Sequence, residues 1–358
     1  MRVVRSLAIG SLLAAATLIP AGATAGRTVV QVRYVIVSTA STTPVTLPGN
    51  VIASAGDGTG GFFVSLGSGV VHVASDGTVD PAFSYSSTPP RLVTQLAVVP
   101  GGRLVVVESG GAPVQVAIVS AATGVVQHLG PQLVGSRKSA SGIATLGPTA
   151  YVAGSFRSVI GGPRRTGVVA VNTATGGVLP FNPRLDRDAS GVATSAGRIY
   201  LTGEFKTIGG KPHASFAAVA PSGKPLAWRP QLPVVPQVAS LAAGPHAVFA
   251  TTFHRVLALR ADDGRRLSWG LALSNAYRSL EPTSVQYDDA VLYIGNTAGP
   301  FTLTWRGARR AGGCIGIDTR TGNPTSWRVR LPGLFTRTCV PLATSAHAVL
   351  VSGRFAPP

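Results

Sequence analysis

Carboxylate chemistry has little to draw on in this chain. Of 13 Asp and Glu residues only Glu108, Glu204 and Glu281 are Glu. Cleaving a glycosidic bond takes two carboxyl groups about 5–10 Å apart. Glu204 ends a strand-like segment, but other copies of the repeat described below put Ser155 and Arg354 there, and nothing in the sequence converges on it. The histidines (72, 128, 213, 246, 254 and 347) are scattered, with no HExxH and no close His/Cys cluster to hold a metal. There is no GxSxG elbow and no phosphate-cradling loop; Lys211 and Lys224 follow glycines but are each followed by Pro. Residues 56–61 (GDGTGG) fit GxGxxG, yet they lie between two strands rather than before a helix, so they read as a tight turn. No catalytic residue, cofactor or metal site is expected.

The cysteines, Cys314 and Cys339, stand 25 positions apart. In an oxidising compartment such a pair is expected to be bridged, the alternative being two buried thiols. The first 25 residues point to that compartment. Arg2 and Arg5 precede an apolar run from Leu7 to Ile19, and Ala23-Thr24-Ala25 offers a small-residue cleavage site after Ala25. The run is short for a membrane span and ends at Pro20, so residues 1–25 are read as a signal peptide and the mature chain as secreted, without a membrane span.

Cations are plentiful where acids are not. There are 31 Lys and Arg, a formal net charge of +18, and only four of the cations are Lys. Charged residues make up 12% of the chain, too few for coiled coils or long exposed helices, while 45% hydrophobic content is enough for a large core.

The elements that must position these groups repeat. Apolar segments of period two alternate with Gly-rich turns, and no stretch keeps a helical period. One unit, of four segments A to D, runs through SGIATL from Ser141, TAYVAGSF from Thr149, a Gly-rich loop, a strand from Val168 ending in NTATG at Gly176, and Val178 to Pro183. It recurs 49 residues later as SGVATS, RIYLTGEF, FAAVAPSG and PLAWRP. The apolar anchor of segment A can be followed at Ile52, Leu96, Ile143, Val192, Leu241, Val285 and Leu342. A glycine marks the C–D turn at Gly77, Gly124, Gly176, Gly223, Gly264 and Gly322, where φ > 0 is needed. Four-stranded units of roughly 40–50 residues are the signature of propeller blades.

Seven A–B halves are followed by only six C–D halves, and Tyr34 to Pro48 matches the C–D half from Val168 to Asn182. The expectation is therefore an all-β, seven-bladed propeller of four-stranded antiparallel blades over residues 28–355. Its last blade would be composite, with two strands from 28–48 and two from 339–355. The rivals are an open array or a broken six-bladed ring.

Gly154-Ser155-Phe156, Gly161-Gly162 and Thr175-Gly176, with Gly203-Glu204-Phe205, Gly209-Gly210 and Ser222-Gly223 in the next unit, resemble the bacterial delta-60 type β-propeller repeats. More distantly, Ile317 to Gly322 with Trp327 resembles the tryptophan-docking repeats of quinoprotein dehydrogenases, and Trp228, Trp269 and Phe181 hold the matching place elsewhere. The resemblance implies fold and secretion but no reaction. Quinone chemistry as known in that superfamily uses an adjacent cysteine pair and acidic calcium ligands, which this sequence lacks. The aromatic residue on segment D is read as packing against the neighbouring blade.

In such a ring A–B and C–D turns share one face and B–C and D–A loops the other. The B–C/D–A face would carry 19 cations and three acids, the opposite face six cations and eight acids. Arg157, Arg164, Arg165, Lys206, Lys211, Arg306, Arg309, Arg310, Arg328 and Arg330 are the candidate anion-binding residues, because guanidinium forks and ammonium groups suit phosphate and carboxylate oxygens. The expected function is a secreted, non-catalytic binding or scaffold protein. Its expected partner is an anionic cell-wall polymer, an acidic polysaccharide or an acidic protein. The alternatives are a propeller enzyme, either a quinone-dependent oxidoreductase or a carbohydrate-active enzyme, and a purely structural cell-surface module. Nucleic acid suits the charge, but no recognition motif and no shared compartment support it.

Overall fold

The computed structural model describes residues 32–356, except 39–40, 111–112, 136–138, 214, 231–237, 239, 253–254, 269–270, 275–281, 289, 297–300, 306–307, 313, 328 and 330–334. The proposed signal peptide lies outside the described residues. Among the described residues the chain is all-β, and no helix is long and apolar enough to cross a membrane.

Alternating apolar and small residues bounded by turn glycines form short antiparallel strands, and successive units form successive sheets. The first sheet runs Ala53–Gly56, Phe62–Ser65, Gly69–Val73 and Tyr85–Ser86. The next runs Leu92–Val99, Arg103–Ser109, Val114–Ser120 and Val126–Val134. The six turn glycines picked out in the sequence all have positive φ, between +73° and +85°. At Gly124 a Cβ would also meet the Ser84 carbonyl oxygen, so the turn needs glycine for space as well as for angle.

The expected four-stranded unit is cut short in places. Ser139–Leu146, Thr149–Ser155 and Val168–Asn172 form a three-stranded sheet, as do Ala189–Ser195, Arg198–Gly203 and Phe216–Val219. Their segments D are reduced to single bridges, Val171 to Val178 and Val219 to Pro225. Prolines explain this: Pro180 and Pro183 in one unit, Pro225 and Pro230 in the next, each lack the N–H that a ladder needs.

The ends of the chain share one sheet. Val32–Val37 lies between Thr42–Val45 and Ala348–Ala356, with Val35 opposite Val351 and Ile36 opposite Leu350, and Phe335–Ser345 follows on the far side of Ala348–Ala356. The core lies in layers between successive sheets. One layer sets Tyr200, Phe216 and Trp228 against Val248, Ala250 and Leu259; another sets Tyr34, Ile36 and Leu350 against Phe62 and Val64. Cys314 and Cys339 are joined in a disulfide, with Cα atoms 5.4 Å apart, which ties Cys314–Asp318 to Phe335–Ser345.

Candidate functional site

Turn-to-turn hydrogen bonds sort the loops. Ala121 N donates to Gly102 O, Thr173 N to Pro148 O, Ala261 N to His246 O and Thr319 N to Ala290 O, so C–D turns lie against A–B turns. On the opposite side the B–C connections reach the segment D of the preceding unit. Ser158–Val159 pairs with Val126–Val134, Ile208 bridges Leu185, and the hairpin Phe301–Trp305/Ala308–Gly312 pairs with Leu271–Ser274. These latches were not foreseen, because the added strands are two to five residues long and carry no turn signal of their own.

The loops at 156–167, 181–189 and 204–214 form one interlocked group. The Asp186 carboxylate accepts the backbone N–H groups of Lys206 (2.8 Å) and Thr207 (2.9 Å). Gly209 N donates to Pro183 O. Arg157 Nη2 pairs with Asp188 Oδ1 at 3.1 Å, a half-buried contact. Burial pushes the Asp186 carboxyl up, but its backbone hydrogen bonds outweigh that and hold it below the ordinary range. Asp186 and Asp188 thus serve the loops themselves.

The five described candidates differ in role. Arg164, Lys206 and Lys211 are exposed, and Arg184 and Arg187 beside them are exposed as well. Arg157 is half-buried in its ion pair. Arg165 departs from the expectation of a solvent-facing anion ligand. It is buried, Nη1 donates to Arg164 O and Nη2 to Leu179 O, Nε has no partner, and desolvation lowers its pKa. In the next unit His213 holds the matching buried place, its pKa lowered by desolvation and then by Arg229. In both units the position precedes the third strand and faces the interior, with Arg in one and His in the other. Arg309 and Arg310 stand opposite Thr304 and Leu303, but their side chains lie outside the described residues, as do Arg306, Arg328 and Arg330.

A cavity of about 600 Å³ is walled by 51–56, 94–96, 141–144, 190–194, 240–243, 285–287 and 340–344. Neighbouring inner strands lie side by side in sequence order, and Phe335–Ser345 lies beside Ala53–Gly56. Its lining is Val, Ala, Gly, Ser, Thr, Gln95, Gln286 and Tyr287 among similar uncharged residues, with no charged side chain. Glu204 is exposed and not part of it. Among the described residues no group of three or more His, Cys, Asp and Glu could hold a metal ion.

Residues 56–61 do form a turn between two strands, and its centre is Asp57, which sequence reasoning missed. The Asp57 carboxylate accepts the N–H groups of Thr59 and Gly61, the Thr59 hydroxyl and the Ser345 hydroxyl, the last from 288 positions away. His72 lies between Asp57 (3.0 Å) and Asp80 (3.1 Å) and stacks on Phe63. Burial raises the Asp57 pKa, but the hydrogen bonds from Thr59, His72 and Ser345 outweigh it and hold the group at about 2. Both ring nitrogens face carboxylates and the Ser345 hydroxyl is fully engaged, so the cluster fastens the turn and presents no free nucleophile or base.

No protein-family model matches the sequence, and no curated protein is detectably similar to it. Solved structures do share the fold. A catalytically inactive virginiamycin B lyase from Staphylococcus aureus, with quinupristin, aligns at TM-score 0.55 and 8% identity over 89% of this chain and 99% of its own. The computationally designed Ika8 protein aligns at 0.52 and 12% over 86% and 98%. A chain of the mitotic checkpoint complex aligns at 0.54 and 11% over 98% and 99%. The fold is of the β-propeller type. At these identities the likeness carries fold and no activity.

Proposed function

We propose that the chain is an exported seven-bladed propeller of the delta-60 type, closed by its N-terminal strands. Its B–C and D–A loops would bind an anionic polymer outside the cell. The register of Val32–Val37 on Ala348–Ala356 and the seven wall segments of the cavity support the blade count. The GSF/GG/TG pattern supports the family, and residues 1–25 support export.

The observation that carries the binding reading is the interlocked loop group. Arg164, Arg184, Arg187, Lys206 and Lys211 stand exposed on loops that hydrogen bonds hold in place, while the nearby Asp186 and Asp188 are occupied within those loops. Cations held on a fixed frame bind an anion with little ordering cost. An uncharged cavity wall favours this reading over a propeller enzyme, which would need acids converging on the channel.

The test is retention on immobilised poly(glycerol phosphate) as a function of NaCl. Wild type should elute later than Arg164→Glu/Lys206→Glu/Lys211→Glu. By analogy with other polyanions, the logarithmic salt slope should fall by about one per lost contact. Retention that is insensitive to salt, or unchanged in the triple variant, overturns the proposal.

A further inference from the structure

Four of the seven strands that wall the cavity share an irregularity at the same place, while Phe335–Ser345 breaks register elsewhere, at Arg337 and Leu342. Register jumps between Val93 and Gln95, between Ala140 and Gly142 and between Ala189 and Gly191, so Thr94, Ser141 and Ser190 each lack a cross-strand partner. A fourth jump, between Pro282 and Ser284, does the same to Thr283. All four skipped residues are hydroxyl residues, each two positions before the apolar anchor of its unit. A bulge re-aims one side chain out of the regular pleat. Thr94, Ser141 and Ser190 line the cavity, and Ser141 and Ser190 are exposed.

Neighbours fix these hydroxyls in orientation. Ser141 Oγ donates to Ala189 O (3.0 Å), Thr94 Oγ1 donates to Ser109 Oγ (3.0 Å), and Ser190 Oγ lies 3.4 Å from Thr202 Oγ1. The bulges come at the start of the inner strands, just after the D–A loops, and so at the cavity mouth on the cation-rich side. In three successive units a cation precedes the skipped hydroxyl by three positions: Arg91 before Thr94, Lys138 before Ser141, Arg187 before Ser190. Hydrogen bonds across units account for the hydroxyls as packing devices; of the three cations, Lys138 lies outside the described residues. Arg187 is exposed, and Arg91 spends one N–H on Pro113 O.

We propose that the cavity mouth is a binding site for a unit in which an oxyanion is joined to an uncharged polyol or sugar. The bulged hydroxyls would hydrogen-bond the polyol, and Arg187, exposed three residues before Ser190, would take the oxyanion. The site rests on the reading that this face binds a polyanion, and adds that the ligand is recognised by its neutral part as well as its charge. An uncharged wall behind the mouth suits the polyol, since hydroxyl groups entering it meet hydrogen-bonding partners and no buried charge.

Two probes separate these contributions: poly(glycerol phosphate), which carries both groups, and inorganic polyphosphate, which carries charge alone. Ser141→Ala/Ser190→Ala should weaken binding of poly(glycerol phosphate) by roughly ten- to thirtyfold, at about three- to fivefold per hydrogen bond, with an unchanged salt slope. It should leave polyphosphate binding as it was. Arg187→Gln should weaken both and lower the slope for both. Unfolding midpoints of both variants, measured alongside, identify any loss that comes from the fold. Equal loss for the two polymers in Ser141→Ala/Ser190→Ala, or no loss for either, overturns the site while leaving the basic face standing. Wild type that retains neither polymer in a salt-dependent way overturns the basic-face reading and this site together.

Discussion

Replacing Trp228 by alanine should remove a large part of the stability of the whole domain. The indole is 1% exposed and meets Tyr200 edge-on, with ring centroids 5.3 Å apart and planes at 66°. Its core layer also holds Val248, Ala250 and Leu259 of the following unit, so truncation opens a void between two sheets rather than within one. Truncating a buried Trp to Ala costs about 3–5 kcal/mol. The indole N–H donates to Arg260 O at 2.8 Å, but that carbonyl also accepts from Gly264 N, so losing the indole bond does not orphan it. Trp228→Phe keeps most of the ring and loses one hydrogen bond, and should cost only about 1 kcal/mol beyond the small packing change. Trp327 supplies a contrast. Its indole N–H is buried without a partner, so Trp327→Phe, which removes the unsatisfied donor, should be close to neutral. Urea unfolding followed by far-ultraviolet circular dichroism measures all three. If Trp228→Ala costs under about 1 kcal/mol, or Trp228→Phe costs as much as alanine, the packing account of the outer aromatic position is wrong.

Two further outcomes follow from the fastening points. Asp57 is held at about 2, below its ordinary value of 3.8, so its contribution is complete above pH 4 and is lost as pH falls through 2. That contribution is on the order of 2 kcal/mol. Asp57→Asn should flatten the acid limb of a stability–pH curve over that window, and an unaltered limb would refute the assignment. Cys314→Ala/Cys339→Ala opens a loop whose ends are 25 positions apart and should lower the unfolding free energy by about 3.5 kcal/mol on the chain-entropy account. Denaturant titration with and without reductant checks it, since wild type in reductant should match the double variant.

The parts of the fold legible in the sequence were those written at short range. A Thr-Gly, Asp-Gly or Ser-Gly step at the same point of six units announced a turn with positive φ, and every one of those glycines has it. Tyr34 to Val37 could be matched to Val168 to Val171 because each is a four-residue apolar run followed by a polar residue and Thr-Ala, and their strands take the same place in their sheets. What escaped was set by long-range packing or by a single residue. Prolines at 180, 183, 225 and 230 shorten the outer segments that a purely apolar pattern would extend. Asp57 gave no signal because, beyond Thr59 and Gly61 in its own turn, its partners are distant: His72, itself held by Asp80, comes from the third strand, and Ser345 from 288 positions away. Arg165 looked like its exposed neighbour Arg164, and only the packing of the third strand separates them.

The sheet that joins Val32–Val37 to Ala348–Ala356 makes the domain a late finisher. Its ladder pairs Val32 with Phe355 and Tyr34 with Ser352, so this sheet forms only once the residues of Ala348–Ala356 have been made. Until then Val32–Val37 has an unpaired margin, and one of its faces (Val35 and Val37) lacks the partners it packs on, Tyr293, Cys339, Val349 and Val351. Closing so long a span comes with a slow, entropically costly search. A sheet that stays open until Ala348–Ala356 arrives exposes a sticky margin for that whole interval. Linking Ala348–Ala356 to Val32–Val37 through a short spacer and cutting instead in an exposed loop such as 160–164 would bring the two partners together from the start, so the rearranged chain should refold faster than the original order.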